Sequence, residues 1–457
     1  MGKWNIFGWI GGWQALLASL TLAVSTGCVH TRGARDSHDV SARVADRMGL
    51  DVATAPIDGS GIMPADLPLS EGLTEDDAAL IALWNNAAFQ ELLTDLGIAR
   101  GDLIQAGLLP NPELVWLFQM PSKPLRYAVD FPLEVLWLRP LRIAAAQRES
   151  ERVAERLTQA ALDLIRDVRQ AHADAILARG RLAIAEDGVK VRGEIAAAAE
   201  KRLQTGDISG QEAATARIDG LQAKQEVIRV RQDVALAAAR LRNLLGLRHD
   251  EPIVLKARPT RTQPLDDAEA LAADALTQRP DVVAADRNIE AAAERARLAR
   301  RNWIRVLGIA DATSGQRTGH ELGPGVRFTV PIFNVNQGNI AKADAELEKA
   351  IRAKQTIADL VVLDVRQAHA RLAQSRAEME HLEQKVRPEV DAAIRRAESA
   401  YREGNAPYVI VLETTRQYLD TRLREETLKS EMRRALADLE RSVGRRLEAP
   451  MPEESKR

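Results

Sequence analysis

The heptapeptide DVRQAHA occurs twice in this chain of 457 residues, at positions 167–173 and again at positions 364–370. The two copies lie 197 residues apart. A separation of 198 residues recurs between two pairs of glycines: Gly206 with Gly404, and Gly246 with Gly444. This shared spacing indicates an internal duplication whose period is far too long for a solenoid of short repeats. We therefore expect two large, equivalent structural units that pack as partners.

The composition favours long helices and speaks against a nucleic-acid partner. The formal net charge is −2, so no global basic field attracts nucleic acid, and we expect no nucleic-acid partner. Aromatic residues make up only 4% of the chain, whereas Ala, Leu, Arg and Glu are abundant, as in helical proteins. The pattern is continuously helical from residue 141 to residue 204, which corresponds to about 95 Å of helix.

The N-terminus has the features of a targeting segment. An apolar run at residues 15–24 is too short to span a bilayer, and it leads to STGC, which ends at Cys28. Cys28 is the only cysteine of the chain and lies where the lipobox of a bacterial lipoprotein would place it, although Ser25 replaces the usual leucine. The alternative is an ordinary signal peptide with an incidental cysteine. We expect cleavage after residue 27 and acylation of Cys28, and Val29 rather than aspartate at the next position favours the outer membrane.

The predicted domains follow the duplication. They are a signal peptide (1–27), a lipid-anchored extended tether (28–73), a first repeat (74–250), a linker (251–275), a second repeat (276–447) and a C-terminal tail (448–457). Each repeat should contain a helix, a β-hairpin, a long helix and a return helix. In the first repeat the hairpin is predicted at 113–137, the long helix at 141–204 and the return helix at 211–247. In the second repeat the same elements are predicted at 303–333, 338–402 and 408–443.

The predicted hairpins have one apolar and one mostly polar face. From Leu125 to Trp137 every second residue is apolar, and residues 325–333 alternate in the same way, whereas 313–323 reads as a turn-rich loop. The polar positions are Arg126, Asp130 and Glu134 in the first hairpin and Arg327 in the second. Eight of the 13 aromatic residues outside the signal segment fall in the two hairpins, as in the aromatic girdles of membrane barrels, although strands favour aromatic residues in general.

Four strands cannot close a barrel, and a sheet that crosses a membrane cannot leave its edges in lipid. Several chains must therefore pool their strands. Two chains would supply eight strands and a filled interior, whereas three would supply twelve strands and an open lumen. The polar positions, Arg126, Asp130, Glu134 and Arg327, would then line water, and the apolar positions would face outer-membrane lipid.

Four motifs in their order give the chain a family resemblance: QAGLLPNPEL, LTQRPDVVAADRNIEAA, VPIFNVNQG and AYREGNAPYVIVLE. With them, residues 74–447 resemble the TolC-like outer-membrane efflux factors. The resemblance implies a mainly α fold with membrane β-structure, in which a homotrimer forms a twelve-stranded barrel above a long tunnel of coiled-coil-like periplasmic helices. It also implies a passive exit duct for drugs, metal ions or other small solutes. Its partners would be a periplasmic adaptor and an inner-membrane pump, often of the resistance-nodulation-division type.

The resemblance also suggests roles for the two turns between long and return helices. Such turns form the periplasmic entrance and the adaptor contact, which makes Gly206, Asp207, Gly404 and Asn405 candidates for adaptor binding. Entrance candidates are Glu413, Ile410, Gln211, Glu212 and Tyr401. Three copies of Glu413 would form an acidic ring that favours cations. Glu212 has another explanation, because Ser209-x-x-Glu212 is a capping-box pattern that holds the carboxylate on backbone N–H groups.

No constellation for catalysis or for a resident cofactor or metal is evident. His172 and His369 occupy equivalent positions in the two heptapeptides, and repeat symmetry on a helix explains them better than metal ligation does. Two other classes of function are alternatives to the exit duct: an enzyme, for which the sequence offers no catalytic residues, and a periplasmic adaptor lipoprotein. An adaptor would carry one helical hairpin between β-rich segments, whereas this chain has two helical hairpins and two strand pairs.

Overall fold

The computed structural model describes residues 35–50, 72–118, 125–247, 253–257, 265–315 and 319–447. The signal peptide, Cys28, most of the tether and the C-terminal tail lie outside these ranges. Within the tether, the prediction of an extended chain is wrong for helix α1 (Ser37–Met48), in which Val40, Val44 and Met48 recur every fourth residue and are buried. None of the described helices combines the length and the apolar character needed to cross a membrane.

The described elements alternate in the same order in both repeats. The first repeat contains α2 (Glu75–Asn85), α3 (Ala87–Gly107), β1 (Glu113–Leu117), β2 (Leu125–Pro132), α4 (Val135–Gln204) and α5 (Gly210–Leu245). The second contains α6 (Ala268–Gln278), α7 (Pro280–Arg301), β3 (Val306–Gly315), β4 (Gly319–Phe328), α8 (Gln337–His381), a π-helical turn (Leu382–Val386), α9 (Arg387–Arg402) and α10 (Tyr408–Val443). They form two compact units, and α3, α4, α7 and α8 each contribute to both.

The first unit contains one four-stranded antiparallel sheet in the order β1-β2-β3-β4. The pairing register puts the charged side chains on one face: Glu113, Arg126, Asp130, Asp311, Glu321 and Arg327. The opposite face carries large apolar side chains: Leu114, Trp116, Tyr127, Val129, Phe131, Leu322, Val326 and Phe328. The sheet thus has the two chemically different faces that the alternating sequence predicts.

The strand boundaries differ from the predicted ones. β2 ends at Pro132 and helix α4 begins at Val135, so Glu134 and Trp137 are not strand residues. Glu134 accepts a hydrogen bond from the Val306 backbone N–H at 3.0 Å and thereby satisfies the first donor of β3. In the second hairpin, β4 spans 319–328 rather than 325–333, because its pairing with β3 continues to Gly315 and Gly319. The predicted loop over 313–323 is therefore mostly strand.

The long helices also differ from their predicted limits. α4 starts six residues before residue 141 and passes through Pro140, which removes one hydrogen bond within the first two turns. The predicted helix over 338–402 is interrupted by the π-helical turn just before Pro388. A proline lacks an N–H group and collides with the carbonyl one turn earlier, and a widened turn relieves that collision.

Two shorter elements of the repeats also depart from prediction. The first helix of the first repeat is not continuous: α2 ends before Asn86, whose side-chain oxygen accepts from the Phe89 N–H at 3.0 Å and caps α3. The predicted linker 251–275 includes the start of α6, which begins at Ala268. α6 is followed by α7 across Arg279 in the same way as α2 is followed by α3 across Asn86.

The second unit explains why the heptapeptide is duplicated. His172 Nε2 donates to the Leu73 carbonyl at 2.9 Å, and His369 Nε2 donates to the Asp266 carbonyl at 3.1 Å. Each histidine therefore holds the chain just before the short helix, α2 or α6, that opens its repeat.

The heptapeptide arginines act in the same equivalent way. Arg169 binds Asp76 at the start of α2 at 2.8 Å, and Arg366 binds Glu269 at the start of α6 at 2.9 Å. The two ion pairs differ in their surroundings. Arg169 is buried and also contacts Glu440, whereas Arg366 is exposed.

The return helices end in matching left-handed glycines. Gly246 (φ 67°) and Gly444 (φ 86°) are the C-caps of α5 and α10. Asn86 Nδ2 donates to the Leu244 carbonyl at 3.0 Å, and Arg279 donates to the Ser442 carbonyl at 3.3 Å. In both repeats, therefore, the residue between the two short helices binds the carbonyl two positions before the terminal glycine.

Candidate functional site

The first long helix ends in a turn stabilised by its own backbone. Gly206 has φ 79°, its N–H donates to the Leu203 carbonyl at 3.1 Å, and the Asp207 N–H donates to the Arg202 carbonyl at 2.9 Å. This is a Schellman motif, in which a left-handed residue after the helix satisfies the last carbonyls. The Thr205 hydroxyl donates to the Asp207 carboxylate at 2.7 Å, and the whole turn is exposed.

The second turn repeats this geometry. Gly404 has φ 78°, its N–H donates to the Tyr401 carbonyl at 3.1 Å, and the Asn405 N–H donates to the Ala400 carbonyl at 2.8 Å. Gly206 and Gly404 are thus left-handed residues at equivalent positions of the two repeats. Asp207 and Asn405 occupy equivalent exposed positions, so the two turns present similar polar tips.

A small core below the turns joins the four helices that meet there. Its buried members come from α4, α5, α9 and α10: Ala199, Ala216, Ala397, Tyr401, Tyr408 and Val411. The rings of Tyr401 and Tyr408 lie 6.2 Å apart, and the Arg202 guanidinium stands 5.0 Å from the centre of the Tyr401 ring. Tyr401, an entrance candidate, is therefore a core residue within its own chain, and burial raises the pKa of its hydroxyl.

Glu212 does not complete the predicted capping box. The Ser209 hydroxyl accepts from the Glu212 N–H at 3.2 Å, which is half of that motif. The Glu212 carboxylate instead accepts from the Tyr408 N–H at 3.3 Å, the first backbone donor of α10. Pro407 precedes α10 and its side chain cannot cap, so a carboxylate from the other repeat satisfies this donor.

A second bond links the same two helices. The Tyr408 hydroxyl donates to the Asp219 carboxylate on α5 at 2.6 Å. Burial, followed by this hydrogen bond, raises the pKa of Tyr408, so the hydroxyl keeps its proton at physiological pH. Sequence reasoning missed both residues. Tyr408 could have been found as the aromatic residue that follows Pro407 at the helix start, whereas nothing distinguishes Asp219 from other helix-surface carboxylates.

The other entrance candidates lie on the surface. Glu413 is about half exposed and binds Arg416 at 3.0 Å and Gln417 at 3.1 Å on its own helix. Ile410 lies three residues earlier on the same face and is also exposed. Gln211 is exposed at the start of α5, where its carbonyl accepts from Thr215. The Glu413 charge is thus partly balanced by Arg416 within the chain.

The predicted lumen candidates divide into two groups. Arg126, Asp130 and Arg327 lie on the charged face of the sheet, but Glu134 lies in the turn before α4. Arg126 makes a bidentate contact with Asp311 at 2.6–3.0 Å, and Arg327 reaches Asp130 at 3.3 Å. The charges of Arg126, Asp130, Asp311 and Arg327 on this face are therefore paired within the chain.

Comparison with known proteins identifies the family. A family model described as Outer membrane efflux protein matches residues 136–247 and 271–445, more than half of the chain. The chain belongs to this family. It is an outer-membrane efflux channel that extends into the periplasm, and it is not an enzyme. The first matched segment covers α4 and α5 of the first repeat, and the second covers nearly all of the second repeat. The recognition of a TolC-like efflux protein is confirmed.

Two curated relatives support this membership. The chain is 26% identical over 395 residues to the cobalt-zinc-cadmium resistance protein CzcC of Cupriavidus metallidurans, a match that covers 82% of the chain and 90% of CzcC. It is 24% identical over 294 residues to the cation efflux system protein CusC of Escherichia coli K12, which covers 61% of the chain and 64% of CusC.

Solved structures share the fold of this efflux protein. The outer-membrane channel OprN superposes with a TM-score of 0.70 at 18% identity, over 86% of the chain and 97% of OprN. A structure of CusC gives the same TM-score and identity, over 86% of the chain and 98% of CusC. The predicted fold class, mainly helical with four strands and an internal duplication, is confirmed.

Proposed function

We propose that three copies of this efflux protein form one exit duct that carries metal cations through the outer membrane. The single observation that supports the duct is the sheet, which has a charged face, an apolar face and two edges, β1 and β4, that pair with no further strand among the described residues. Edges in lipid need backbone partners, and three sheets joined edge to edge supply twelve strands around an open lumen. Native mass spectrometry in detergent should report a trimer, and a monodisperse folded monomer would contradict the proposal.

In this duct the charged face of the sheet lines water and the apolar face meets outer-membrane lipid. Arg126, Asp130 and Arg327 then belong to the lumen. Exposed apolar side chains continue beyond β4 in Val330, Ile332 and Phe333, which suits the lipid boundary. Cys28 is proposed as the acylated N-terminal residue. Cys28→Ser should abolish incorporation of a labelled fatty acid while the protein still inserts, because the strands supply most of the apolar surface.

The duct would receive its cargo from two partners. We assign the adaptor contact to the paired turns at Gly206–Asp207 and Gly404–Asn405, which are exposed and nearly identical in backbone geometry. An inner-membrane pump of the resistance-nodulation-division type would supply the energy. The family match favours this role over the alternative of a periplasmic adaptor lipoprotein.

The proposed cargo rests on the relatives. CzcC is described as a cobalt-zinc-cadmium resistance protein and CusC as a cation efflux protein, and the match to CzcC covers most of both chains. Disruption of the gene should lower the tolerated concentration of cobalt, zinc or cadmium salts, and a plasmid copy should restore it. Tolerance of a hydrophobic antibiotic is the matched control. If only the antibiotic tolerance falls, the metal assignment is wrong although the duct stands.

A further inference from the structure

The two edge strands of the sheet carry unsatisfied charge as well as unpaired backbone. Glu113 on β1 is exposed, and it has no ion-pair partner within the part of the chain that the structure describes. Arg327 on β4 is 62% exposed and reaches Asp130 through one nitrogen only. The outer edges therefore offer an unpaired carboxylate on one side and a guanidinium with spare donors on the other.

The joint between the repeats gives a template for how such edges meet. β2 of the first repeat pairs with β3 of the second, with Asp130 opposite Ile309 and Pro132 opposite Leu307. An ion pair crosses this joint diagonally. Arg126 lies opposite Thr313 but binds Asp311, which lies two residues away on the same face.

The duplication relates this joint to the outer edges. The pair Glu113–Asp130 of the first hairpin corresponds to the pair Leu307–Arg327 of the second, so β1 is equivalent to β3 and β2 to β4. Asp130 and Arg327 are 197 residues apart, which is also the separation of the two heptapeptides. An edge contact between two subunits, β4 of one against β1 of the next, is therefore the equivalent of the β2–β3 joint within one chain.

We propose that β4 of one subunit pairs with β1 of its neighbour in the β2–β3 register, locked by an ion pair from Arg327 to the partner's Glu113. In this register Arg327 lies opposite the partner's Val115, and Thr329 lies opposite the partner's Glu113. The ion pair follows the same diagonal as Arg126–Asp311. Arg327 then bridges its own Asp130 and the partner's Glu113. The inference rests on the proposed trimeric duct and adds the register and chemistry of its closure.

Disulfide trapping tests the register without touching the ion pair. The register places Leu117 opposite Gly325 of the adjoining subunit, at the separation of about 4.5–5.5 Å at which cysteines can bridge. Leu117→Cys with Gly325→Cys should give a covalently linked trimer after oxidation of the purified protein. The matched control is Leu117→Cys with Gly323→Cys, which is displaced by two residues on the same face and should remain uncrosslinked. Both glycines have room for a Cβ, and single-cysteine variants control for Cys28.

The outcomes separate this inference from the function on which it rests. A protein that is not trimeric would overturn both. A trimer that crosslinks through the control pair, or through neither pair, would overturn the register while leaving the duct intact.

A double-mutant cycle tests the ion pair itself. Glu113→Gln should lower the temperature at which the trimer dissociates in detergent. Glu321→Gln, which removes another charge from the same face but lies opposite no residue of β1 in this register, should not. Glu113→Gln should lower the dissociation temperature little further once Arg327→Gln is present, because the effects of substituting two residues in contact are not additive. Fully additive effects of Glu113→Gln and Arg327→Gln would show that these two side chains do not form an ion pair. Equal losses from Glu113→Gln and Glu321→Gln would show the same.

Discussion

The Tyr408 hydroxyl donates a 2.6 Å hydrogen bond to the Asp219 carboxylate, and this bond ties the return helix of one repeat to that of the other near the periplasmic turns. A second hydrogen bond joins the same helices, because the Glu212 carboxylate accepts from the Tyr408 N–H. Tyr408, the first residue of α10, is therefore held to the first and third turns of α5. A separation of α5 from α10 at the tip would break these contacts.

Removing the Tyr408 hydroxyl should loosen the tip without unfolding it. Tyr408→Phe keeps the ring in its core but loses a hydrogen bond to a charged group, worth about 1.5–3 kcal/mol. We expect larger or more frequent openings in planar-bilayer recordings. Asp219→Asn should act in the same direction, and the double variant should add little. Unchanged conductance in all three would show that this bond does not restrain the channel.

The duplicated arginines offer a matched test of a buried against an exposed ion pair. Arg169 has a 5% exposed side chain between Asp76 and Glu440, whereas Arg366 is 55% exposed beside Glu269. Arg169→Ala removes the cation that pairs with buried Glu440, although Asp76 keeps its ion pair with Arg446, and should cost about 3–5 kcal/mol of unfolding free energy. Arg366→Ala should cost at most about 1 kcal/mol. Thermal unfolding of the detergent-solubilised variants measures both losses of stability. Equal losses would show that burial does not determine what each ion pair contributes.

The buried histidine should make the fold sensitive to acid. Burial lowers the pKa of His172 below its usual 6.5, so the folded state favours the neutral ring. The stability that the neutral ring contributes is present above about pH 6.5 and is lost as the pH falls, because the unfolded chain then binds the extra proton. His172→Gln should flatten the decline of the unfolding midpoint between pH 7 and pH 5. His369→Gln, at the less buried equivalent position, is the control, and a matching change in it would contradict the argument.

Left-handed glycines should differ in their tolerance of alanine. Gly206 and Gly246 both have positive φ, which costs an alanine about 1–2 kcal/mol. A Cβ at Gly206 meets nothing within 4 Å, but one at Gly246 would lie 2.2 Å from the Asn85 carbonyl oxygen. Gly246→Ala should therefore lower the unfolding temperature and the yield of folded protein far more than Gly206→Ala. Similar losses in both variants would mean that backbone strain, and not the contact with Asn85, determines the loss of stability.

How far the sequence predicts this molecule depends on the range of the interactions. Period-2 alternation is a local signal, and it predicts the two faces of the sheet. The 198-residue spacing of the glycines predicts that the two repeats are equivalent, and their turns do match. The end of β2 at Pro132 and the extension of β4 to Gly319 depend on pairing with β3, which no local pattern contains. The Tyr408–Asp219 bond joins residues 189 positions apart, so only the packed repeats reveal it.

The charge at the proposed entrance is set by two residues rather than one. Glu413 is about half exposed and is paired with Arg416 at 3.0 Å on the same helix face. Exposed pairs of this kind are weak, so in a ring of three subunits each carboxylate still attracts cations while each guanidinium opposes them. Glu413→Gln should lower cation selectivity in planar-bilayer recordings, and Arg416→Gln should raise it, with trimer stability unchanged in both. Identical selectivity in both variants, with the channel folded and open, would remove the pair from the entrance and leave it as helix-surface charge.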